Sequence, residues 1–243
     1  MNVKPSIYFI SDLHLSFEKK ELVQRFLDFL EHKAVHAQAV YILGDLFDSW
    51  IGDDDNTSFS QTIKQALSQR TQSGTQIFLQ NGNRDFLIGS QFSQETGVHL
   101  LDDYHVMELG TERILLTHGD LLCSDDTAYQ AFRQKSRSSE WQNNVLSKPL
   151  WLRLIAARWY RLRSHWHKRK KTQEIMDVNQ QTVATIMQQF QCQQLIHGHT
   201  HRPATHPFIL NDQPTVRHVL SDWKKGSIDL LCWDGQQFCF DTI

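Results

Sequence analysis

Apolar and polar positions alternate along this chain in two rhythms. Short apolar runs at Ser6–Ile10, 39–43 and 76–80 predict buried strands. Between the first two, Leu22, Val23, Phe26, Leu27, Phe29 and Leu30 recur at helical spacing, which predicts an amphipathic helix over 19–35. A second helix is predicted over 58–73, ended by Gly74. Strands alternating with helices imply an α/β sandwich. After Gly97 the runs shorten, predicting strands at 98–101, 104–109 and 113–117 with Gly110 at a turn. Residues 120–171 carry helical signal interrupted by Pro149 and no convincing strand. A helix over 173–191, a strand at 194–196 and four alternating runs at 205–210, 215–220, 227–233 and 237–240 finish the chain. No repeat or low-complexity linker divides it, so 1–243 reads as one domain with a helical insertion at about 121–171.

Chemistry gathers where the apolar runs stop. Tyr41-Ile42-Leu43-Gly44-Asp45 is an apolar run that ends by presenting one carboxylate. Four further stretches behave alike: Asp12-Leu13-His14, Gly82-Asn83-Arg84-Asp85, His118-Gly119-Asp120 and Gly198-His199-Thr200-His201. In an open α/β sheet the ligand crevice lies outside the carboxyl ends of the strands, so five ends facing one way would bring these side chains together. Singly, Asp-x-His occurs often by chance and Gly-Asn is usually a turn. Five such stretches in this order point to a metal cage with Asp45 between two ions. The mixed imidazole, carboxylate and amide set suits Mn, Fe, Zn or Co better than Ca.

Composition is that of an ordinary soluble protein, with 40% hydrophobic and 21% charged residues. A net charge of −2 gives no argument for nucleic acid, but the charge is unevenly spread. Residues 151–171 hold Arg153, Arg158, Arg161, Arg163, Lys168, Arg169, Lys170 and Lys171 and no acid, a local +8 that leaves −10 for the rest. Such asymmetry implies an anionic partner at one place on the surface. The four cysteines, at 123, 192, 232 and 239, form no CxxC pair and are expected to be reduced thiols, with Cys232 and Cys239 in the core. No apolar run at the amino terminus has the length of a signal peptide, and none elsewhere could span a bilayer. Membrane contact is therefore expected to be peripheral.

The order Asp-x-His, Gly-Asp, Gly-Asn, His, Gly-His-x-His resembles the calcineurin-like metallophosphoesterases over nearly the whole chain. The resemblance implies two packed mixed sheets flanked by helices and a dinuclear site. Asp12, His14 and His201 would hold one metal, Asn83, His118 and His199 the second, with Asp45 bridging. His197, Asp85 and Asp120 would support their neighbours rather than bind metal. Paired cations lower the pKa of a bridging water and polarise a phosphoryl oxygen for in-line attack, and Arg84 is placed to neutralise the growing charge. Most of the broad family carries Gly-Asn-His where this chain has Gly82-Asn83-Arg84-Asp85. The arginine form, with the stretch from Asp45 to Asp54 and the basic helical insertion, resembles the UDP-2,3-diacylglucosamine diphosphatases of bacterial lipid A synthesis. It implies a glycolipid nucleotide substrate cut at its pyrophosphate, two Mn2+ ions and a post at the cytoplasmic face of the inner membrane. Asn83, Arg84, Asp126, Ser164, Lys168, Lys171 and His199 would contact that substrate.

Within the insertion Trp151, Leu152, Leu154, Ile155, Trp159, Tyr160 and Leu162 interleave with arginines. A basic amphipathic helix with tryptophans reads as an element lying on an anionic membrane surface. A solvated helix with one face on the core, or a nucleic-acid patch, are the other readings. No obligate protein partner is expected, and nucleic acid is not the expected one. A phosphoesterase for soluble nucleotides or nucleic acid is the second functional reading. A non-catalytic scaffold is the third, and it predicts lost ligands, whereas all seven positions are filled. Asp53-Asp54-Asp55 reads as a solvated loop, and His206 and His218 as a pair across the last hairpins.

Overall fold

The computed structural model describes residues 6–168, 177–224, 226 and 228–243, the side chains of 161–168 excepted. Its first half builds a sheet in which β1 (Ser6–Ile10), β2 (Ala37–Leu43), β3 (Gln76–Gln80) and the edge strand β4 (His99–Leu101) run parallel. The chain's last strands, β10 (Asp229–Trp233) and β11 (Phe238–Thr242), return antiparallel beside β1, giving the order β11-β10-β1-β2-β3-β4. A second sheet has the order β5-β6-β7-β9-β8, from β5 (His105–Leu109), β6 (Glu112–Thr117), β7 (Gln194–His197), β8 (Ala204–Leu210) and β9 (Gln213–Val219). There β6, β7 and β9 are parallel and the two edges antiparallel. Both sheets are therefore mixed.

Alternation along each strand sorts side chains between layers. Ile7, Phe9, Tyr41, Leu43, Ile114, Leu116, Ile196 and Leu231 pack between the sheets. Phe9, Tyr41 and Phe78 stack across neighbouring strands with centroids 5.4 and 4.6 Å apart, each pair worth about 0.5–1.5 kcal/mol beyond its buried area. The opposite face of the first sheet carries Ile10, Val40, Ile42, Ile77 and Leu79. It is covered by α1 (Lys20–His32), α2 (Ser58–Gln72) and α3 (Ser90–Thr96), through Phe26, Phe29, Ile63, Leu67 and Phe92. Leu115 and Leu195 of the second sheet are covered by Val183 and Met187 of α7 (Gln180–Phe190).

The helical insertion begins after β6 and contains α4 (Thr127–Ser136), α5 (Ser139–Leu146) and α6 (Leu150–Lys168), with Pro149 just ahead of α6. Among the described residues no helix is long and apolar enough to cross a membrane. Three expectations need correcting. Cys232 and Cys239 are not free thiols: the β10–β11 register places them directly opposite, and a disulfide joins them, while Cys123 and Cys192 are free and buried. The helix expected over 173–191 starts at Gln180, where the Asn179 side chain accepts from Thr182 N, and 173–176 lie outside the described residues. His218 faces Thr205, not His206, across the β8–β9 ladder.

Candidate metal centre

Strands β1, β2 and β3 lie side by side and end at Asp12, Asp45 and Asn83; β6 and β7, neighbours in the other sheet, end at His118 and at His199 and His201. The turns after these strands are bonded to one another through the backbone. Asp12 N donates to Gly44 O at 3.1 Å, His14 N to Asp45 O at 2.9 Å and Gly198 N to His118 O at 3.0 Å. Asp12, His14, Asp45, His199 and His201 all adopt left-handed backbone, with φ of 56, 48, 54, 68 and 56°. Each such residue costs roughly 1–2 kcal/mol relative to ordinary backbone, so the strain is concentrated where the candidate ligands sit.

The side chains converge as the strand ends do. One donor atom each from Asp12, His14 and His201 lies within 4.8 Å of the others, and so do atoms of Asp12, Asp45 and His118. Asn83 Oδ1 is 3.1 Å from His118 Nε2 and 3.0 Å from His199 Nδ1, and the two imidazoles approach to 3.2 Å. Gly82 permits the closeness, because a Cβ there would stand 2.2 Å from Asp45 Oδ1.

Supporting bonds decide which atoms face inward. His118 Nδ1 donates to Leu43 O at 2.8 Å, which leaves Nε2 with its lone pair toward the cluster. His201 Nδ1 donates to Asp222 Oδ2 at 2.9 Å and turns Nε2 toward Asp12 Oδ1, 3.3 Å away. Asp12 Oδ2 accepts from Ser11 Oγ and His199 N, and Asp45 Oδ1 from Arg84 N. Asp85 is fully buried and accepts from the backbone N–H of Gly82, Asp45 and Phe47, tying the loop of Asn83 to that of Asp45. Burial, then the neighbouring Asp45 carboxylate, pushes Asp85 up to about 7. His197 Nδ1 donates to Gly198 O while Nε2 accepts from Arg217, so this ring steadies the turn instead of joining the cluster.

Electrostatics separates the two central carboxylates. Burial would raise Asp12, but His201, His118 and His14 outweigh it and hold it well below the usual range, whereas burial wins at Asp45 and raises it. Burial pushes His14 down to about 3. Against its own burial, His201 is held up at about 9 by Asp12 and Asp222. Among the described residues, Asp12 Oδ1 and His14 Nδ1 are buried without a hydrogen-bond partner. Buried donor atoms left in this way, beside two carboxylates and facing lone pairs, fit a divalent metal.

Of the residues expected to contact substrate, Asn83 and His199 are in the cluster and Arg84 lies beside it. The Arg84 guanidinium makes no hydrogen bond to any described residue and lowers Asp45 by its charge. Asp126 is at the start of α4, where its carboxylate accepts from Tyr129 N. Lys171 and the side chains of Ser164 and Lys168 lie outside the described residues.

Four supports had no local signal in sequence. Asp222 lies beyond β9 and far from His201. Tyr129 and Arg133 on α4 and Arg137 just past its end recur four apart, a spacing that marks one helix face but names no partner. Tyr129 Oη and Arg133 Nε donate to the buried Asp120, Arg133 Nη2 to Asp103, and Arg137 Nη2 to Gly82 O. Arg133, with His118, holds Asp120 well below the usual carboxylate range despite burial.

The aspartate loop is exposed at Asp54 as expected, but its carboxylates are engaged rather than only solvated. Asp53 accepts from Trp50 Nε1 and from Gly89 N and Phe92 N at the start of α3, and Asp54 pairs with Arg153. Asp55 Oδ1 accepts from Thr57 N at the entry to α2.

Residues 5–203 match the model of the calcineurin-like phosphoesterase family. A Haemophilus influenzae protein named UDP-2,3-diacylglucosamine hydrolase is 47% identical over 93% of this chain and 94% of its own length. A Pseudomonas entomophila protein of the same name is 48% identical over 90% of this chain and 91% of its own. A solved archaeal phosphodiesterase aligns over 98% of this chain and 99% of its own, at 11% identity and a TM-score of 0.48. With a family model spanning most of its length and relatives at nearly half identity, the chain belongs to the calcineurin-like phosphoesterases.

Proposed function

We propose that this chain hydrolyses UDP-2,3-diacylglucosamine at its pyrophosphate, giving UMP and 2,3-diacylglucosamine 1-phosphate, a step of lipid A biosynthesis. The carrying observation is a row of aromatic rings that begins beside Arg84, next to the candidate metal ligands. Phe86, two residues from Arg84, lies 5.9 Å from Trp141 of α5; Phe132 of α4 lies 6.4 Å from Trp141 and stacks on Tyr160 of α6 at 4.9 Å. Apolar rings next to the loop of Asn83 and Arg84 offer acyl chains a surface to bury against. The name shared by relatives at 47 and 48% identity supports the same substrate.

Asp12, His14 and His201 would hold one Mn2+ and Asn83, His118 and His199 a second, with Asp45 between them. When bound, such cations polarise a phosphoryl oxygen and lower the pKa of water. The chain's own groups prepare the rest. His118 keeps its Nδ1 proton on Leu43 O and His201 keeps its own on Asp222, so neither ring can rotate its lone pair away. Arg84, anchored by its backbone N–H on Asp45, would offer its guanidinium to charge growing on the pyrophosphate. Asp126, Ser164, Lys168 and Lys171 are the further substrate contacts of this reading.

The insertion would rest on the anionic inner membrane from its cytoplasmic side. Trp151, Ile155 and Trp159 of α6 are 64, 56 and 59% exposed, and the basic run beside them matches anionic headgroups. The test compares Mn2+-dependent hydrolysis of the diacylated and the deacylated nucleotide sugar in detergent. The diacylated compound should be strongly preferred. Equal turnover rejects the glycolipid assignment and favours a soluble nucleotide.

A further inference from the structure

Among the described side chains of α6 from Trp151 onward, the large apolar ones stand exposed and one charge is buried. Arg153 is 5% exposed, although Trp151 and Ile155 on either side of it stand in the open. Its guanidinium is held from several directions. Nε donates to Lys148 O at 2.8 Å, Nη1 to Ile51 O at 2.6 Å and to Asp54 Oδ1 at 2.8 Å, and Nη2 to Asp54 Oδ2. The backbone makes room for it at one residue. Gly52 has φ +139°, and a Cβ there would stand 2.2 Å from Arg153 Nη1. Any other residue at 52 would expel the guanidinium.

The loop it grips is the one that leaves the metal cage. That loop starts at Asp45, and its last turn is fixed to α3 and to Trp50 by Asp53. Tyr160 of α6 stacks on Phe132 of α4, which in turn meets Trp141 of α5, so the helix that Arg153 anchors is joined to the other two through these rings. Exposed ion pairs contribute little, but a planar fork with one buried partner fixes direction as well as distance.

We infer that Arg153 and Asp54 are positioning residues: the pin between them sets α6 above the cage and so sets the fit for the acylated part of the substrate. The specificity half of this inference rests on the glycolipid reading above; the pin itself does not.

The test uses the full chain with Arg153→Ala, Arg153→Lys and Asp54→Ala. Hydrogen exchange over 150–160 should accelerate about tenfold in Arg153→Ala and Asp54→Ala, with sheet amides unchanged. The KM for the diacylated nucleotide sugar should rise about tenfold in the same variants. Its kcat, and Mn2+-dependent hydrolysis of bis(p-nitrophenyl) phosphate, should stay within about twofold. Arg153→Lys should fall between, because an ammonium cannot make the fork. Unchanged exchange over α6 in Arg153→Ala overturns the pin, whatever the substrate is. An equal loss on the soluble ester overturns it too, since the pair would then be supporting the cage. A wild-type protein inactive on the diacylated compound, with α6 still loosened by Arg153→Ala, keeps the pin and overturns the specificity half together with the glycolipid reading.

Discussion

The metal cage and the lid are held together in opposite ways. In the cage, the turns after β1 and β2, and those after β6 and β7, bond to one another through backbone groups, and the side chains that converge are buried or half-buried. The lid helices reach the body through side chains: Arg133 to Asp120 and Asp103, Arg137 to Gly82 O, Arg153 to Asp54. A backbone-bonded cluster cannot be retuned one residue at a time without moving several strands. A cover joined by long cationic side chains can. On the function proposed above, the chemistry would sit on the rigid part and the choice of substrate on the adjustable part.

Substitutions can break that division in order of severity. In the cage, Asp45→Ala or His118→Ala should lower turnover on the order of 10³-fold together with metal content, read by elemental analysis beside the rate. Arg84→Ala should lower kcat about 100-fold while metal content stays at the wild-type level. Loss of metal in that variant would show that the arginine holds the cage and not the substrate. Asp222→Ala removes the acceptor that orients His201 and should weaken metal binding about 10- to 100-fold, with activity restored by excess Mn2+. In the lid, Trp151→Ser should leave bis(p-nitrophenyl) phosphate hydrolysis unchanged and reduce binding to phosphatidylglycerol-containing vesicles about tenfold. A Trp151→Ser protein impaired on the soluble ester would mean that lid and cage are not separable.

The two regions also differ in how far the sequence reveals them. The cage residues could be read because each sits at the end of an apolar run, and parallel strands put their ends at one edge. The supports of the cage could not. Asp222 reaches His201, and Tyr129 and Arg133 reach Asp120, through the arrangement of layers, which no local spacing encodes. The three aspartates after Trp50 look like solvent-facing residues by composition, yet two of them serve elements far away in the chain. Helix α3 was not anticipated for the same reason, since the side chain at its start comes from Asp53 and not from its own Gly89. In the lid, the alternation of tryptophan and arginine correctly marked a helix, but which residue turned inward depended on Gly52 and Asp54. The cysteine pair followed from a strand register that spacing alone does not fix.

The left-handed residues bear on any attempt to move this chemistry elsewhere. Copying the seven side chains onto another α/β framework would reproduce their identities but not their aim, because ordinary strand-to-helix turns point Cβ along a different vector. A successful graft would have to carry the five unusual dihedrals with it. The transferable unit is thus the set of loops, and a designer should expect the recipient fold to lose stability before it gains activity.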